Sequence, residues 1–203
     1  AAGEREATLS VTHSGSNSPK TVSLSGNGTS QATIGFSMTD IDVPVQYPTS
    51  IQFGPDDRLY VSTQFGSIYA FTIDRTGPGE YVITDTEQID IIRQIPNHND
   101  VGEYESNVTT RQITGMYVGG TAEKPVIYIS SSDPRIKTYN KNPPNESLDT
   151  NSGVISRLTQ TDSGWDHDML VRGLPRSEEN HAPNGIQYDA QNDTIYVAVG
   201  GNT

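Results

Sequence analysis

The chain has 203 residues, of which 32% are hydrophobic, with 19 glycines, 12 prolines, no cysteine and a formal net charge of −12 at pH 7. An excess of carboxylates repels nucleic-acid phosphates and anionic lipid, so neither is expected as a partner. The lack of cysteine excludes disulfides and thiolate metal sites. No apolar run reaches the roughly 18 residues of a membrane span, so membrane insertion is not expected.

Residues 1–38 alternate between apolar and polar side chains in short runs. Leu9 and Val11 share one face of the first run, Val22 and Leu24 share one face of the second, and a third run covers Ala32–Phe36. Alternation with period 2, interrupted by turns rich in Gly, Ser and Asn, predicts short antiparallel strands. We therefore expect a strand-rich segment here that lies outside the repeat described next.

Residues 39–203 carry strand candidates in sets of four. The predicted strands of the first set are Ser50–Phe53, Leu59–Thr63, Ser67–Ile73 and Tyr81–Ile92. Those of the second set are Gln112–Val118, Pro125–Ser130, Gly153–Gln160 and Trp165–Val171. Four antiparallel strands in a meander form one blade of a β-propeller.

A third set has two strand candidates, Gly185–Tyr188 and Thr194–Val199, and it repeats the first set in sequence. Ile-Gln-Phe at 51–53 recurs as Ile-Gln-Tyr at 186–188, and each is followed by a turn and a Tyr-Val strand. Ile113 and Met116 are expected to take the corresponding places in the second set. The sequence predicts an all-β fold with a partial propeller of about two and a half blades, at about residues 48–95, 111–172 and 183–203. Open sheet edges would then favour self-association.

Among the four histidines, His181 has the most informative position, directly ahead of the first strand of the third set. The innermost strand of a propeller blade lines the central channel, and the loops that enter it form the funnel where ligands bind. A lone histidine is more often a solvated loop residue, so both interpretations stay open. The groups Asn97–Asp100 and Asp149–Gly153 offer oxygen ligands but lack the spacing of a calcium loop, so no metal site is predicted.

Two segments, one in the second set of strands and one that spans the third set, resemble segments of a known protein family. Leu170–Gly200 contains G-L-P-x-S-x-x-x-H, then a strand, a turn and I-Y-V, and Arg111–Ser130 opens with R-Q-I-T-G-M-Y-V. Both resemble the soluble glucose and sorbosone dehydrogenases that depend on pyrroloquinoline quinone, a family of six-bladed propellers. The resemblance implies that His181 is the general base and that Gln112 lies beside the quinone. It also implies a sugar or polyol substrate that is oxidised by hydride transfer to pyrroloquinoline quinone.

The chain departs from that family in two respects. The family has an acidic residue directly before the histidine, whereas this chain has Asn180, which stabilises an imidazolium less well. The calcium ligands and the basic residues that hold the quinone fall in later blades, so calcium is implied only for a complete protein. We expect the present chain to be inactive and to bind the quinone weakly.

The run LSVTHSGSNSPKTVSLSGNGT, residues 9–29, resembles the closing strands of the immunoglobulin-like modules of bacterial and archaeal surface proteins. Residues 1–38 are accordingly interpreted as the C-terminal strands of such a sandwich. Glycosylation sequons at Asn27, Asn107, Asn145 and Asn192 suit an exported, extracellular glycoprotein. The alternative to an enzyme is therefore a non-catalytic propeller of a surface protein that binds carbohydrate or serves a structural or adhesive role.

Overall fold

The computed structural model describes residues 3–28, 36, 38, 40–135, 149–177 and 181–200. Its regular structure consists of twelve strands and one 3₁₀ turn, Ile91–Gln94, so the described chain is all-β as the alternation predicts. The strands form four small antiparallel sheets. The chain divides into two compact units, Ala1–Met38 and Thr39–Thr203. None of the described helical residues forms a helix long and apolar enough to cross a membrane.

The described part of the first unit is a β-hairpin. Strand β1 (Gly3–Val11) pairs along its whole length with β2 (Lys20–Gly28), and Leu9 stands opposite Val22. The two predicted strands are confirmed, but both are almost entirely exposed, so the hairpin buries little apolar surface of its own. Most of the third predicted run, residues 32–35, lies outside the described residues.

The second unit begins with a sheet of four strands in chain order, which we call the first sheet. Its strands are β3 (Pro48–Phe53), β4 (Leu59–Thr63), β5 (Ile68–Gly77) and β6 (Glu80–Ile89). All four predicted strands are confirmed, and β6 ends three residues early because the 3₁₀ turn Ile91–Gln94 follows it. Gly66, in the β4–β5 turn, has φ +93°, and a Cβ there would lie 2.6 Å from the carbonyl oxygen of Arg111. Only glycine fits this turn.

Two further sheets follow in the same order. The second sheet consists of β7 (Gln112–Gly120), β8 (Pro125–Ser132), β9 (Gly153–Thr161) and β10 (Gly164–Leu174). The third sheet consists of β11 (Pro183–Asp189) and β12 (Thr194–Val199). Neighbours in each sheet are neighbours in sequence, and short turns join them except between β8 (Pro125–Ser132) and β9 (Gly153–Thr161), where a long loop intervenes.

The three sheets share one register. A β-bulge interrupts the first strand of each sheet, after Pro48 in β3, Ile113 in β7 and Pro183 in β11. Beyond the bulge, equivalent residues face equivalent partners: Ile51–Val61, Met116–Ile129 and Ile186–Val197. Met116 is therefore the counterpart of Ile51 and Ile186, and Val118 is the counterpart of Phe53 and Tyr188. The expected order, with Ile113 opposite the two isoleucines and Met116 opposite the two aromatic residues, is wrong, because Ile113 directly precedes the bulge and corresponds to Pro48 and Pro183.

Each sheet has two faces, which the register defines. Face A carries Gln52 and Tyr60 in the first sheet, Tyr117 and Tyr128 in the second, and Gln187 and Tyr196 in the third. Face B carries the pairs that begin with Ile51, Met116 and Ile186. Strand β7 contacts β3 and β4 on one side and β11 on the other. Face A of each sheet thus packs on face B of the next.

The first joint, between the first and second sheets, is mainly apolar. Its core combines buried side chains from both sheets and from the segment that links them: Tyr60, Ile68, Ala70, Ile89, Ile92, Ile95, Ile113, Met116, Val118, Ile127, Ile129, Val154 and Leu158. The side-chain amide of Gln52 donates to the carbonyl of Val118 and accepts from its N–H, each at 2.9 Å. Trp165 is partly buried against this cluster, and its Nε1–H donates to Oε1 of Glu87 at 2.7 Å.

The second joint, between the second and third sheets, is more polar. The hydroxyl of Thr114 donates to the carbonyl of Pro183, and that of Ser130 donates to the carbonyl of Asn184 at 2.6 Å. The backbones approach closely here, since a Cβ on Gly115 would collide with the same Asn184 carbonyl. Three tyrosine rings complete the joint, with centroids 5.7 to 6.4 Å apart: Tyr117, Tyr128 and Tyr188.

Face B of the first sheet is covered by no sheet among the described residues. A strip of alternating residues, Ile41, Val43 and Val45, lies over it and encloses an apolar cleft of about 280 Å³. Ile51 remains 66% exposed and Phe53 remains 60% exposed. The strip therefore covers this face incompletely.

Candidate functional site

The long connections of the second unit emerge at one end of its sheets. The loops 90–111, 133–152 and 175–182 lead into β7, β9 and β11, while short hairpin turns close the opposite ends of the strands. Antiparallel strands place alternate connections at the same end of a sheet. We call this end the loop end, and it gathers the buried charged residues of the chain.

Arg111 is buried at the loop end of the first joint. Its guanidinium donates to Oδ1 of Asn97 at 2.9 Å, to the carbonyl oxygen of Ser152 and, weakly, to Oγ of Ser131 at 3.5 Å. Only 1% of the residue is exposed, and no described carboxylate lies within 4 Å. Burial lowers the pKa of Arg111 to about 10, against the opposing influence of Asp133.

Arg176 occupies the corresponding end of the second joint and is completely buried. Among the described residues its guanidinium donates to carbonyl oxygens alone, those of Asp133 at 3.2 Å, Arg135 at 2.9 Å, Ser177 and His181 at 3.4 Å. Burial lowers its pKa from the ordinary value. Arg176 thus ties the loop after β8 to the loop before β11.

Asp133 and Arg135 form the one strongly buried ion pair at this end among the described residues. The Asp133 carboxylate is fully buried and accepts from Nε and Nη2 of Arg135, the latter at 2.7 Å. Arg135 also reaches Glu105 at 3.6 Å and donates to the carbonyl of His98 at 2.8 Å. The pair fixes the start of the 133–152 loop against the 90–111 loop.

His181 has a constrained backbone and a free ring. Its N–H donates to Oγ of Ser177 at 2.9 Å, and its carbonyl accepts from the N–H of Ser177 at 2.7 Å and from Arg176. The residue is exposed, and no described residue hydrogen-bonds its imidazole. Asn180, which precedes it, lies outside the described residues, as do Glu178 and Glu179.

Gln112 carries an unsatisfied polar atom. Its Oε1 is buried, yet it has no hydrogen-bond partner among the described residues, and neither has Oγ of Ser132, which pairs with Gln112 across β7 and β8. Both residues lie at the loop end of the second joint. A buried unpaired acceptor costs about 1 to 3 kcal/mol, so such an atom in a native protein calls for a partner.

Gln112 and His181 do not occupy equivalent positions. Ile113 and Pro183 are the residues directly before the bulges, so Gln112 corresponds to Ala182, one residue earlier in each strand. Both residues pair with the neighbouring strand: Gln112 lies opposite Ser132, and the carbonyl of Ala182 accepts from the N–H of Gly200. His181 corresponds to Arg111. Gln112 thus begins β7, whereas His181 lies in the loop that leads into β11, offset by one residue from the equivalent position. No hydrogen bond or ring contact of the described residues joins the two.

The other predicted candidates have structural roles in the described chain. The rings of His98 and Tyr104 lie 6.0 Å apart at a tilt of 59°, and Nε2 of His167 hydrogen-bonds Oγ of Ser156 at 2.9 Å. Asn97 donates to two backbone carbonyls, and Asp100 accepts from Thr150 at 2.8 Å. The described residues contain no group of three or more His, Asp or Glu that could hold a metal ion.

No protein-family model and no curated protein matches this chain. The resemblance to quinone-dependent sugar dehydrogenases therefore stays a prediction, and so do the roles that it implies for His181 and Gln112. Two buried residues of this end, Arg111 and Arg176, were not singled out from the sequence. The available signal was weak: each is an arginine in a polar loop shortly before the first strand of a sheet.

Proposed function

We propose that the second unit is part of a β-propeller. Two four-stranded meanders, each packed by face A on face B of the next sheet, support this arrangement, and so do the bulges at one position in the three first strands. The first strands β3, β7 and β11 lie next to one another, as innermost strands do. We further propose that the hairpin of the first unit belongs to an immunoglobulin-like module.

We propose that the complete protein oxidises a sugar or polyol by hydride transfer to pyrroloquinoline quinone, with His181 as the general base. The observation that carries the proposal is the combination at His181 of a fixed backbone and a ring without a described partner. A general base has to reach the substrate hydroxyl at roughly 3 Å, which a ring committed to the protein could not do. Ser177 and Arg176 act as positioning residues for it.

Gln112 shows whether the residues at this end of the second joint fit the quinone. Its buried, unpaired Oε1 suits a group that brings an N–H or O–H donor. When bound, the quinone would supply an electrophilic carbonyl as hydride acceptor. The chain's own part is to accept the hydroxyl proton on the neutral imidazole of His181 and to hold it while the C–H bond is broken.

Calcium is a separate matter. The described residues offer no set of ligands for it at the loop end. We therefore assign no metal ligand in this chain and derive no step through calcium.

An exported location is part of the proposal. Three of the four sequon asparagines are exposed, at Asn27, Asn107 and Asn192, and Asn145 lies outside the described residues. Surface exposure is what N-glycosylation requires. The unpaired edges of β6, β10 and β12 leave room for self-association.

A non-catalytic carbohydrate-binding or adhesive propeller is the second candidate. The tyrosine cluster of the second joint favours it, because Tyr117, Tyr128 and Tyr188 all stay half-buried and keep part of their rings accessible. Aromatic rings pack well against the C–H faces of sugars. In this case sugars would bind without being oxidised.

The two candidates separate in one experiment on the complete protein. With added quinone and calcium, a panel of sugars and polyols is screened for reduction of an artificial electron acceptor. His181→Gln should lower the rate by about 10²–10⁴-fold, while His13→Gln, in the first unit, should leave it unchanged. Binding of sugar without turnover by the unaltered protein would support the carbohydrate-binding alternative and contradict the enzyme.

A further inference from the structure

A cavity lies at the loop end, on the side of the second sheet that faces the first joint. It measures about 310 Å³, which is at the lower end of the roughly 300 to 1,000 Å³ typical of small-molecule sites. Its apolar walls are formed by Ile95, Val154 and Met169. Neither Gln112 nor His181 lines it, so it is distinct from the site proposed above.

Arg111 lines this cavity and contributes a buried positive charge, which Asp133 and Asp149 offset electrostatically without an ion-pair contact. A guanidinium has five N–H groups, and the three described hydrogen bonds of Arg111 leave two of them without a described partner. None of those three bonds reaches a carboxylate. A buried cation without a contacting anion is costly, and an anion that enters the cavity would offset that cost.

The polar rim of the cavity adds a second cation and several hydrogen-bonding groups. Arg172 lines it and is exposed, so its guanidinium is able to turn toward a ligand. Asp149 and Asn151 lie beside it, with Oδ1 of Asp149 accepting from the N–H of Asn151 at 2.8 Å. The second carboxylate oxygen of Asp149 and the Asn151 amide remain able to bond hydroxyl groups.

We propose that this cavity binds a small hydroxylated carboxylate, such as a uronic acid unit. The carboxylate would lie between Arg111 and Arg172, because guanidinium groups match the planar fork of a carboxylate. The hydroxyls would bond Asp149 and Asn151. The C–H face of the ring would pack on Val154 and Met169. A neutral sugar would bring no carboxylate into contact with Arg111, so the site discriminates in favour of the acid.

The proposal goes beyond the oxidation chemistry and does not depend on it. Binding of galacturonate to the present chain is measured by isothermal titration calorimetry, with galactose as the neutral ligand of the same ring. Galacturonate should bind at least tenfold more tightly, and its affinity should fall as salt is added, since an exposed cation at the rim is screened. Equal binding of the two sugars, or binding of neither, would overturn the proposal.

Variants place the ligand in this cavity rather than elsewhere. Arg172→Gln should weaken galacturonate binding at least tenfold, whereas Arg75→Gln, in the β5–β6 hairpin at the opposite end, should not change it. Arg111→Gln should abolish binding, with circular dichroism to check the fold. If that variant does not fold, Arg172→Gln and Asp149→Asn serve as the test. Full affinity for galacturonate in both variants would show that the ligand does not bind in this cavity. None of these variants alters His181, so their outcome does not depend on the result of the sugar-oxidation assay.

Discussion

The two joints of the second unit have the same geometry and different chemistry. In the first joint, face A of one sheet meets face B of the next through an almost wholly apolar core. In the second joint, hydroxyl groups bond backbone carbonyls and three tyrosines meet. A buried arginine closes the loop end of each, Arg111 at the first and Arg176 at the second. Equivalent backbone positions therefore do not imply equivalent roles.

The difference separates stability from recognition. Apolar burial stabilises the first joint in proportion to area, at about 25 cal/mol per Å², and needs no exact geometry. The second joint relies on directional hydrogen bonds, which are costly when they are unmet. Oε1 of Gln112 and the ring of His181, neither of which has a hydrogen-bond partner among the described residues, both belong to the second joint. The site that we propose for sugar oxidation lies at the second joint, whereas the cavity that we propose for a carboxylate lies at the loop end of the first.

The largest expected effect is at Arg176. Arg176→Met should destabilise the protein by about 3 kcal/mol or more, because it leaves buried carbonyl oxygens of Asp133 and Arg135 without donors. Denaturant unfolding followed by circular dichroism measures the change. Arg75→Met is the control, since Arg75 is exposed and should stay within about 0.5 kcal/mol of the parent. A loss as small as that of the control would mean that the loop end of the second joint does not depend on Arg176.

Close backbone approach distinguishes two glycines at the same register position. Gly115→Ala should cost about 2 to 3 kcal/mol, because the new methyl group would push β11 away at the Asn184 carbonyl. Gly185→Ala should be neutral or slightly stabilising, since no described atom lies within 4 Å of a Cβ added there. Thermal unfolding of the two variants tests this. The same shift in both would remove the distinction between the second joint and an open face.

Gln52 tests the polar clasp of the first joint. Gln52→Ala removes both hydrogen bonds to Val118 and should cost about 1 to 2 kcal/mol. Gln187, its register counterpart in the third sheet, is exposed, so Gln187→Ala should change the free energy of unfolding by less than about 0.5 kcal/mol. Urea titration of both variants distinguishes the outcomes. If Gln52→Ala were as harmless as Gln187→Ala, the first joint would rest on its apolar core alone.

Replacing Gln112, unlike replacing Gln52, should not lower the free energy of unfolding. Gln112→Met keeps the approximate volume and removes the unpaired Oε1, so the free energy of unfolding should stay within about 1 kcal/mol or rise. Gln52→Met, at a bonded glutamine, should lose stability. A marked destabilisation by Gln112→Met would show that the Gln112 amide has a structural partner and would weaken its assignment to a ligand site.

The smallest effect concerns pH and the first joint. Burial lowers the pKa of His167 below its ordinary 6.5, so the folded state binds this proton less readily than the unfolded chain does. The stability contribution is complete above about pH 6.5 and declines as the pH falls below it toward the folded pKa. His167→Gln should flatten the dependence of the unfolding free energy on pH between about 7 and 5. An unchanged slope in that variant would assign the pH dependence to other groups.

The strands and their repeat could be predicted from the sequence, and the site residues only in part. Alternation and turn chemistry are local, so every strand predicted for the second unit is present. The bulge that follows Pro48, Ile113 and Pro183 has no local marker in the sequence, so the register that sets Ile113 against the two prolines could not be predicted. Arg111 and Arg176 were missed because arginine is usually exposed, and the loops that bury it come from distant parts of the chain.

The strip Ile41, Val43 and Val45 has a consequence for any partner of the first sheet. Because it lies over face B and leaves a cleft of about 280 Å³ beneath it, that face is already in use, though loosely. Another sheet that packs there has to displace the strip first. The apparent affinity of such a sheet is its intrinsic affinity multiplied by the fraction of molecules in which the strip is displaced. Substitutions that loosen the strip would therefore make face B of the first sheet bind a partner more tightly.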